Sequence, residues 1–229
     1  MADLRSFGDS IWTMDGDDVR MYGIPFTTRM TIVRLADGGL WLHSPVVPTY
    51  ARVAAVKTLG PVAHIVAPNK IHSLGFEPWR RVFAAAKGWV SPGFQRRHPD
   101  IEADEILSDA APPEWQRKID QHVFKGSVFL DEVVFCHRAS RTLIVTDLIQ
   151  RHDPDAQSWF WRIVKGWAGV LGEGGTARDL RASFRDRDAA RRSRDLILGW
   201  DFENLVISHG ACMSGGAKPY VSDAFAWLD

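Results

Sequence analysis

The stretch "PVAHIVAPNKIHSLGF", residues 61–76, joins an apolar β-type run to a polar loop holding Asn69, Lys70 and His72. A helix-like segment, "FEPWRRVFAAA", follows. Strand, polar loop, helix is the order in which α/β enzymes place their chemistry. The loop is therefore a metal site, the remnant of one, or a plain turn. His72 is a ligand or general base on the first reading and a loop histidine bonded to backbone on the last. Asn69 and Lys70 suit an anionic substrate, and Lys70 suits a solvated loop equally well. His43 ends the run "LWLHSP" and is either a pocket residue or a buried histidine satisfied by backbone. Cys212, in "HGACMSGG", lies three residues past His209. It is a nucleophile or soft ligand beside an imidazole, or a small buried hydrophobe. His137, on the turn "CHRASR", is expected to face solvent. "GEGGT" at 172–176 lacks the lysine of a phosphate loop and reads as a flexible turn.

The elements around these residues follow from periodicity. "RMTIVRLADGGLWLHSPV" predicts a β-hairpin, because Asp37-Gly38 supplies the positive φ of a tight turn. "SIWTMDGDDVRMYG" predicts another around Asp15-Gly16. "TYARVAAVKTL" reads as a helix closed by Gly60. Strand "VAHIVA", a helix from Phe76 to Ala86 and strand "GWVSP" continue a βαβα order, which favours a parallel or mixed sheet covered by helices. Residues 91–120 are Pro-rich and irregular, with a short helix in "PPEWQRKI". "SVFLDEVVFCH" and "TLIVTDLI" form a hairpin around "RASR". Residues 156–199 read as helical, with Thr176 and Asp186 as N-caps. Strand "NLVISH" and a last apolar segment, helix or strand, end the chain.

The 229 residues suffice for a large buried core, with 45% hydrophobic and 24% charged residues, the balance of a soluble globular protein. Lys plus Arg equals Asp plus Glu at 28 each, which gives no global pull toward nucleic acid. Two cysteines make no disulfide framework. The N-terminal stretch is not a signal peptide, and no apolar run reaches the ~18 residues of a membrane span. These features predict a cytoplasmic protein with no nucleic-acid partner, monomeric or homo-oligomeric. The ten tryptophans are expected mostly in the core. In "SWFWRIVKGWAGVL", a lid over a pocket and a partner or membrane-surface helix are the alternatives to core packing.

Taken together, "TIVRLADGGLWLHSP", "VAHIVAPNKIH", "VVFCHRASRTLIVTDLI" and "LVISHG" resemble the metallo-β-lactamase fold, over roughly residues 5 to 215. "APNKIH", "CHRASRTLIVTD" and "SHG" are most similar to a domain-of-unknown-function group within it, DUF4336-like. The resemblance implies an α/β fold, an αββα sandwich of two mixed sheets flanked by helices. It implies a single domain over 1–229 with a helical insertion at about 156–199. It also implies metal ligands at one edge of the sheets: a His-x-His-x-Asp-His loop, then a His, a bridging Asp and a final His. Asp147 matches the bridging Asp and His209 the final His. In the first loop Asn69, Ile71, Ser73 and Leu74 stand at ligand positions, and a small shift brings in His72. The middle His falls near Val128 and Phe129, with His122 and His137 out of frame. His43 stands where an Asp is common. The metal motif is thus degenerate. One reading is a hydrolase with a mononuclear site of His72, Asp147 and His209, holding zinc, iron or manganese. Such a metal brings the pKa of a bound water toward about 7 for attack on an ester, amide or phosphate. The other is a metal-free, non-catalytic protein that binds a small molecule or partner in the same pocket.

Overall fold

A computed structural model describes residues 4–21 and 23–229 of the chain. In chain order the strands are β1 (Leu4–Gly8), β2 (Ile11–Asp15), β3 (Val19–Met21), β4 (Ile24–Phe26), β5 (Arg29–Arg34) and β6 (Leu40–His43). Helix α1 (Tyr50–Leu59), β7 (Val62–Ala67), α2 (Phe76–Val82), β8 (Lys87–Val90), α3 (Phe94–Arg97) and β9 (Glu105–Ile106) follow. The second half holds β10 (Ile119–Phe124), β11 (Glu132–His137), β12 (Thr142–Val145), α4 (Trp159–Ala168), α5 (Arg178–Ser183), α6 (Arg187–Leu198), β13 (Asn204–Ile207) and α7 (Ala217–Ala224).

Seven strands form one sheet in the order β1-β2-β5-β6-β7-β8-β9, and β10-β11-β12-β13 form a second. Both are mixed. The β5–β6 pair is antiparallel and β6–β7 parallel; β11–β12 is antiparallel and β12–β13 parallel. Side-chain alternation explains the layering. On β6, Leu40 and Leu42 pack with α1 and α2 residues such as Val56 and Trp79, whereas Trp41 points into the layer between the sheets. On β11, Val133 and Phe135 enter that same central layer, and Val134 and Cys136 face α6 and α7. The result is the expected αββα sandwich, with strands buried on both faces.

Several local expectations hold. Thr49 caps α1 by accepting from Arg52 N, and Asp186 caps α6 by accepting from Ala189 N. Others need correction. Asp15-Gly16 does not turn a hairpin. Strand β2 pairs with β1 and β5 in the large sheet, and β3 pairs with β4 in a separate two-stranded sheet. Gly16 serves close approach instead: a Cβ there would meet Val46 Cβ at 2.7 Å. Helix α2 stops at Val82 because Phe83 leaves the helix and stacks on Trp79, their centroids 5.7 Å apart. Residues 113–118 form hydrogen-bonded turns rather than a helix, and β10 follows directly. The strand predicted from Ser127 begins only at Glu132, with Val128 and Phe129 exposed. Ala177, not Thr176, is the N-cap of α5. His137 is fully buried, with Ser140 Oγ 2.7 Å from its Nδ1, so it does not face solvent. The tryptophan expectation fails on α4, where Trp159 and Trp167 are 74% and 70% exposed. No helix among the described residues is long and apolar enough to cross a membrane.

Candidate metal centre

Strands β6, β7, β12 and β13 end at one edge of the two sheets. The loop after β7 brings His72, the loop after β12 brings Asp147, and the loop after β13 brings His209. Among the described residues these three form the one cluster of His, Cys, Asp or Glu able to hold a metal, with donor atoms within 4.8 Å of one another. His72 Nε2 lies 3.1 Å from Asp147 Oδ2 and 3.2 Å from His209 Nε2. His209 Nε2 lies 3.2 Å from Asp147 Oδ1.

Each member is held from behind. His209 Nδ1 lies 2.6 Å from the Thr27 carbonyl, which can only accept, so Nδ1 carries the proton. Ser44 Oγ lies 2.6 Å from His72 Nδ1. Both rings therefore turn Nε2 toward the carboxylate, in the outer-shell pattern typical of metal-binding histidines. Ser44 has φ of 50°, a left-handed conformation unusual for a residue with a Cβ. Arg29 on β5 donates to the carbonyls of Ile207 and Gly210 and ties the His209 loop to the large sheet.

Asn69 occupies the middle of the arrangement. Its Oδ1 accepts from the backbone N–H of Ile71 and of His72, which folds the loop so that His72 points inward. Its Nδ2 donates to Asp147 Oδ2 at 2.7 Å and to Thr146 Oγ1 at 2.9 Å. Asn69 is fully buried. The anion-binding reading of this residue is thus corrected, because its amide is consumed inside the protein. Lys70 lies over the Phe129 ring at 4.7 Å, at the rim and outside the cluster.

His43 also lies outside the cluster. It is buried and stacked on Trp41, and neither ring nitrogen has a hydrogen-bond partner among the described residues. Burial first, then the charge of nearby His72, holds its pKa well below the ordinary value. Both earlier readings of His43 are corrected: it is neither a pocket residue nor satisfied by backbone. Cys212 is half-buried beside Arg29, whose Nη1 is 3.1 Å from the thiol, and it packs on the central core. Burial raises its pKa. It borders neither chamber of the cleft described below, so its thiol is not placed as a nucleophile.

Glu132 was not foreseen. It opens β11 fully buried, and its carboxylate accepts from the backbone N–H of Thr146, Asp147 and Leu148. Burial first, then the Asp147 charge, raises its pKa to about 7. An acidic residue at the head of the apolar run "EVVFCH" is the one signal in the chain that marks it. Burial also works to raise Asp147. Interaction with the imidazoles of His72 and then His209, by charge when they are protonated and by hydrogen bonds, outweighs burial and holds the Asp147 carboxyl far below the usual range.

The donor set fits a metal ion. With His209 Nδ1 protonated, the Nε2 of the neutral ring offers a lone pair to an ionised carboxylate. That contact needs a cation between the two, a proton or a metal. Separations of 3.1–3.2 Å also approach the edge of a tetrahedron with metal–ligand bonds of about 2.0 Å, which is about 3.3 Å. The groups suffice for one ion only, since among the described residues no further cluster stands ready for a second.

The cluster lies at the floor of a largely apolar cleft with two chambers. One, about 100 Å³, is bordered by Met21, Phe26, Val46, Leu74, His72 and His209. The other, about 120 Å³, runs under α4 past Phe129, Val164 and Lys165. Asp147, Phe26 and Ile71 border both.

A family model described as "Domain of unknown function (DUF4336)" matches residues 8–158, about two thirds of the chain. The chain belongs to this family. The match takes in His72 and Asp147 and stops short of His209. Among solved structures, the DUF4336 chain is similar to a metallo-β-lactamase from Pontibacter korlensis, with TM-score 0.67 and 13% identity, covering 99% of this chain and 100% of that one. It is similar also to a metallo-β-lactamase from Hirschia baltica, with TM-score 0.65, 13% identity and coverage of 99% and 97%. The DIM-1 metallo-β-lactamase matches with TM-score 0.67, 13% identity and coverage of 97% and 96%. At these identities the shared property is the fold: the DUF4336 chain has the metallo-β-lactamase fold. A search of the curated proteins finds no match.

Proposed function

We propose that the protein is a hydrolase with a single divalent metal held by His72, Asp147 and His209, acting on an ester, amide or phosphate. The observation that carries this reading is the convergence of two Nε2 atoms and one carboxylate at 3.1–3.2 Å, each fixed by a partner behind it. A divalent cation there would acidify a bound water and so supply a nucleophile at neutral pH. The protein's own groups do the rest. Asn69 holds Asp147, Thr27 and Ser44 hold the two rings, and Phe26 and Val46 line the cleft beside them. The apolar lining favours a substrate with a hydrophobic body around the scissile group.

One observation favours a second reading, a metal-free binding pocket. The three groups also satisfy one another at hydrogen-bond distance if a proton lies between each imidazole and Asp147. Metal content separates the two. Protein purified without an affinity tag or chelator is expected to carry close to one equivalent of zinc, iron or manganese, and the His72→Ala/His209→Ala variant none. Esterase and phosphodiesterase screens then follow. Absence of metal after zinc is added back would rule out the hydrolytic reading.

A further inference from the structure

Helix α4 has two faces with opposite demands. Val164, Lys165 and Ala168 border the second chamber of the cleft. Trp159, Phe160, Ile163 and Trp167 point outward and are 74%, 50%, 62% and 70% exposed. Their spacing puts them along one side of the helix. Such an aromatic stripe is costly in water, at about 25 cal/mol for each Å² of apolar surface. The apolar surface does not end at the helix. Met21 and Phe129 border the same chamber as α4, Leu74 borders the first, and all three are exposed. The mouth of the cleft is thus ringed by exposed apolar side chains.

Two cations sit on these rings. Lys70 lies 4.7 Å above Phe129, and the Arg178 guanidinium lies 5.9 Å from the Trp167 ring. Neither has a carboxylate within salt-bridge distance among the described residues. Of the acids around α4 and the cleft, Asp155 pairs with Arg162 and Asp17 with Arg52, Asp179 accepts from the backbone N–H of Leu180, and Asp18 faces Lys165.

We propose that this rim docks the protein on an anionic lipid surface, with the mouth of the cleft turned toward the lipid. Tryptophan and phenylalanine suit the headgroup layer, and stacked cations suit its phosphates. A second copy of the chain is a poorer occupant, because a two-fold contact brings a patch against itself, and its unpaired cations against their own kind. The proposal is independent of hydrolysis and is tested without it.

The experiment is sedimentation of the full chain with phosphatidylcholine vesicles, with and without phosphatidylglycerol. The protein is expected to sediment with the anionic vesicles. Trp159→Ser/Trp167→Ser should abolish this. Lys70→Gln/Arg178→Gln should weaken it about 30-fold, from about 1 kcal/mol per cation. All four side chains lie at the surface or rim, so the variants are expected to melt like the parent. No sedimentation with either vesicle would overturn the proposal, as would equal sedimentation of parent and aromatic variant. A dimer in sedimentation velocity that the aromatic variant dissolves would assign the face to a second copy and overturn it as well.

Discussion

Asn69 shows how much one neutral side chain can organise. Its oxygen folds the loop that aims His72, and its nitrogen holds the carboxylate that His72 meets. Asn69→Ala removes both functions: the Ile71 N–H loses its acceptor, the His72 N–H keeps only its 3.3 Å contact to the backbone carbonyl at position 69, and Asp147 loses one donor. A loss of about 2–3 kcal/mol is expected in urea unfolding, from groups left unsatisfied in the interior. Zinc affinity, measured by competition with a chromophoric chelator, should fall by about 10–100-fold, as for other residues that orient a ligand. An unchanged affinity would show that Asp147 keeps its position unaided. The same residue marks a limit of sequence reading. Asp147 and His209 are legible through the resemblance, at the ends of "TLIVTD" and "LVISH", and His72 as the histidine of the loop after β7. Asn69 was legible as a loop residue, yet its buried role depends on Thr146 and Asp147, 77 and 78 residues away. Ser44, Thr27 and Glu132 escaped notice for the same reason: their partners lie in loops distant in sequence.

At the scale of elements, the hairpin β5–β6 and the helix–strand alternation that follows were readable, because Asp37-Gly38 and Thr49 act on their immediate neighbours. The two-stranded sheet β3–β4 was not, since its position depends on β2 leaving to pair with β5. The loop after β13 is controlled by backbone geometry. Gly210 has φ of 112°, and a Cβ there would come within 1.9 Å of the Arg151 carbonyl. Its N–H also donates to Thr27 Oγ1, beside the carbonyl that holds His209. Gly210→Ala must therefore move the loop. Bound metal should fall below half an equivalent by elemental analysis, while far-ultraviolet circular dichroism stays close to that of the parent. Full metal occupancy in the variant would mean that His209 is not a ligand.

For the whole molecule, buried neutral histidines set the response to acid. His137 lies in the core away from the cluster, and burial first, then the Lys118 charge, lowers its pKa to about 4 from an ordinary 6.5. Between those values the unfolded chain binds the proton and the folded chain does not, so stability falls as pH drops through this window. The slope is about 1.4 kcal/mol per pH unit for this one group. Urea midpoints measured from pH 7 to 4 should decline, and His137→Leu should decline less steeply. Parallel curves would mean that His137 is protonated in the folded state as readily as in the unfolded one.

Strands β1, β2 and β5 to β9 make one sheet before β10 begins the other. His72 travels with the first sheet, and Asp147 and His209 with the second. The cluster is therefore a seam: neither sheet holds it alone, however well each is formed. Any opening that parts the layers dissolves the site at once, while almost every backbone hydrogen bond inside each sheet survives. Loss of the centre would then be the earliest sign of the sandwich coming apart, ahead of any loss of secondary structure.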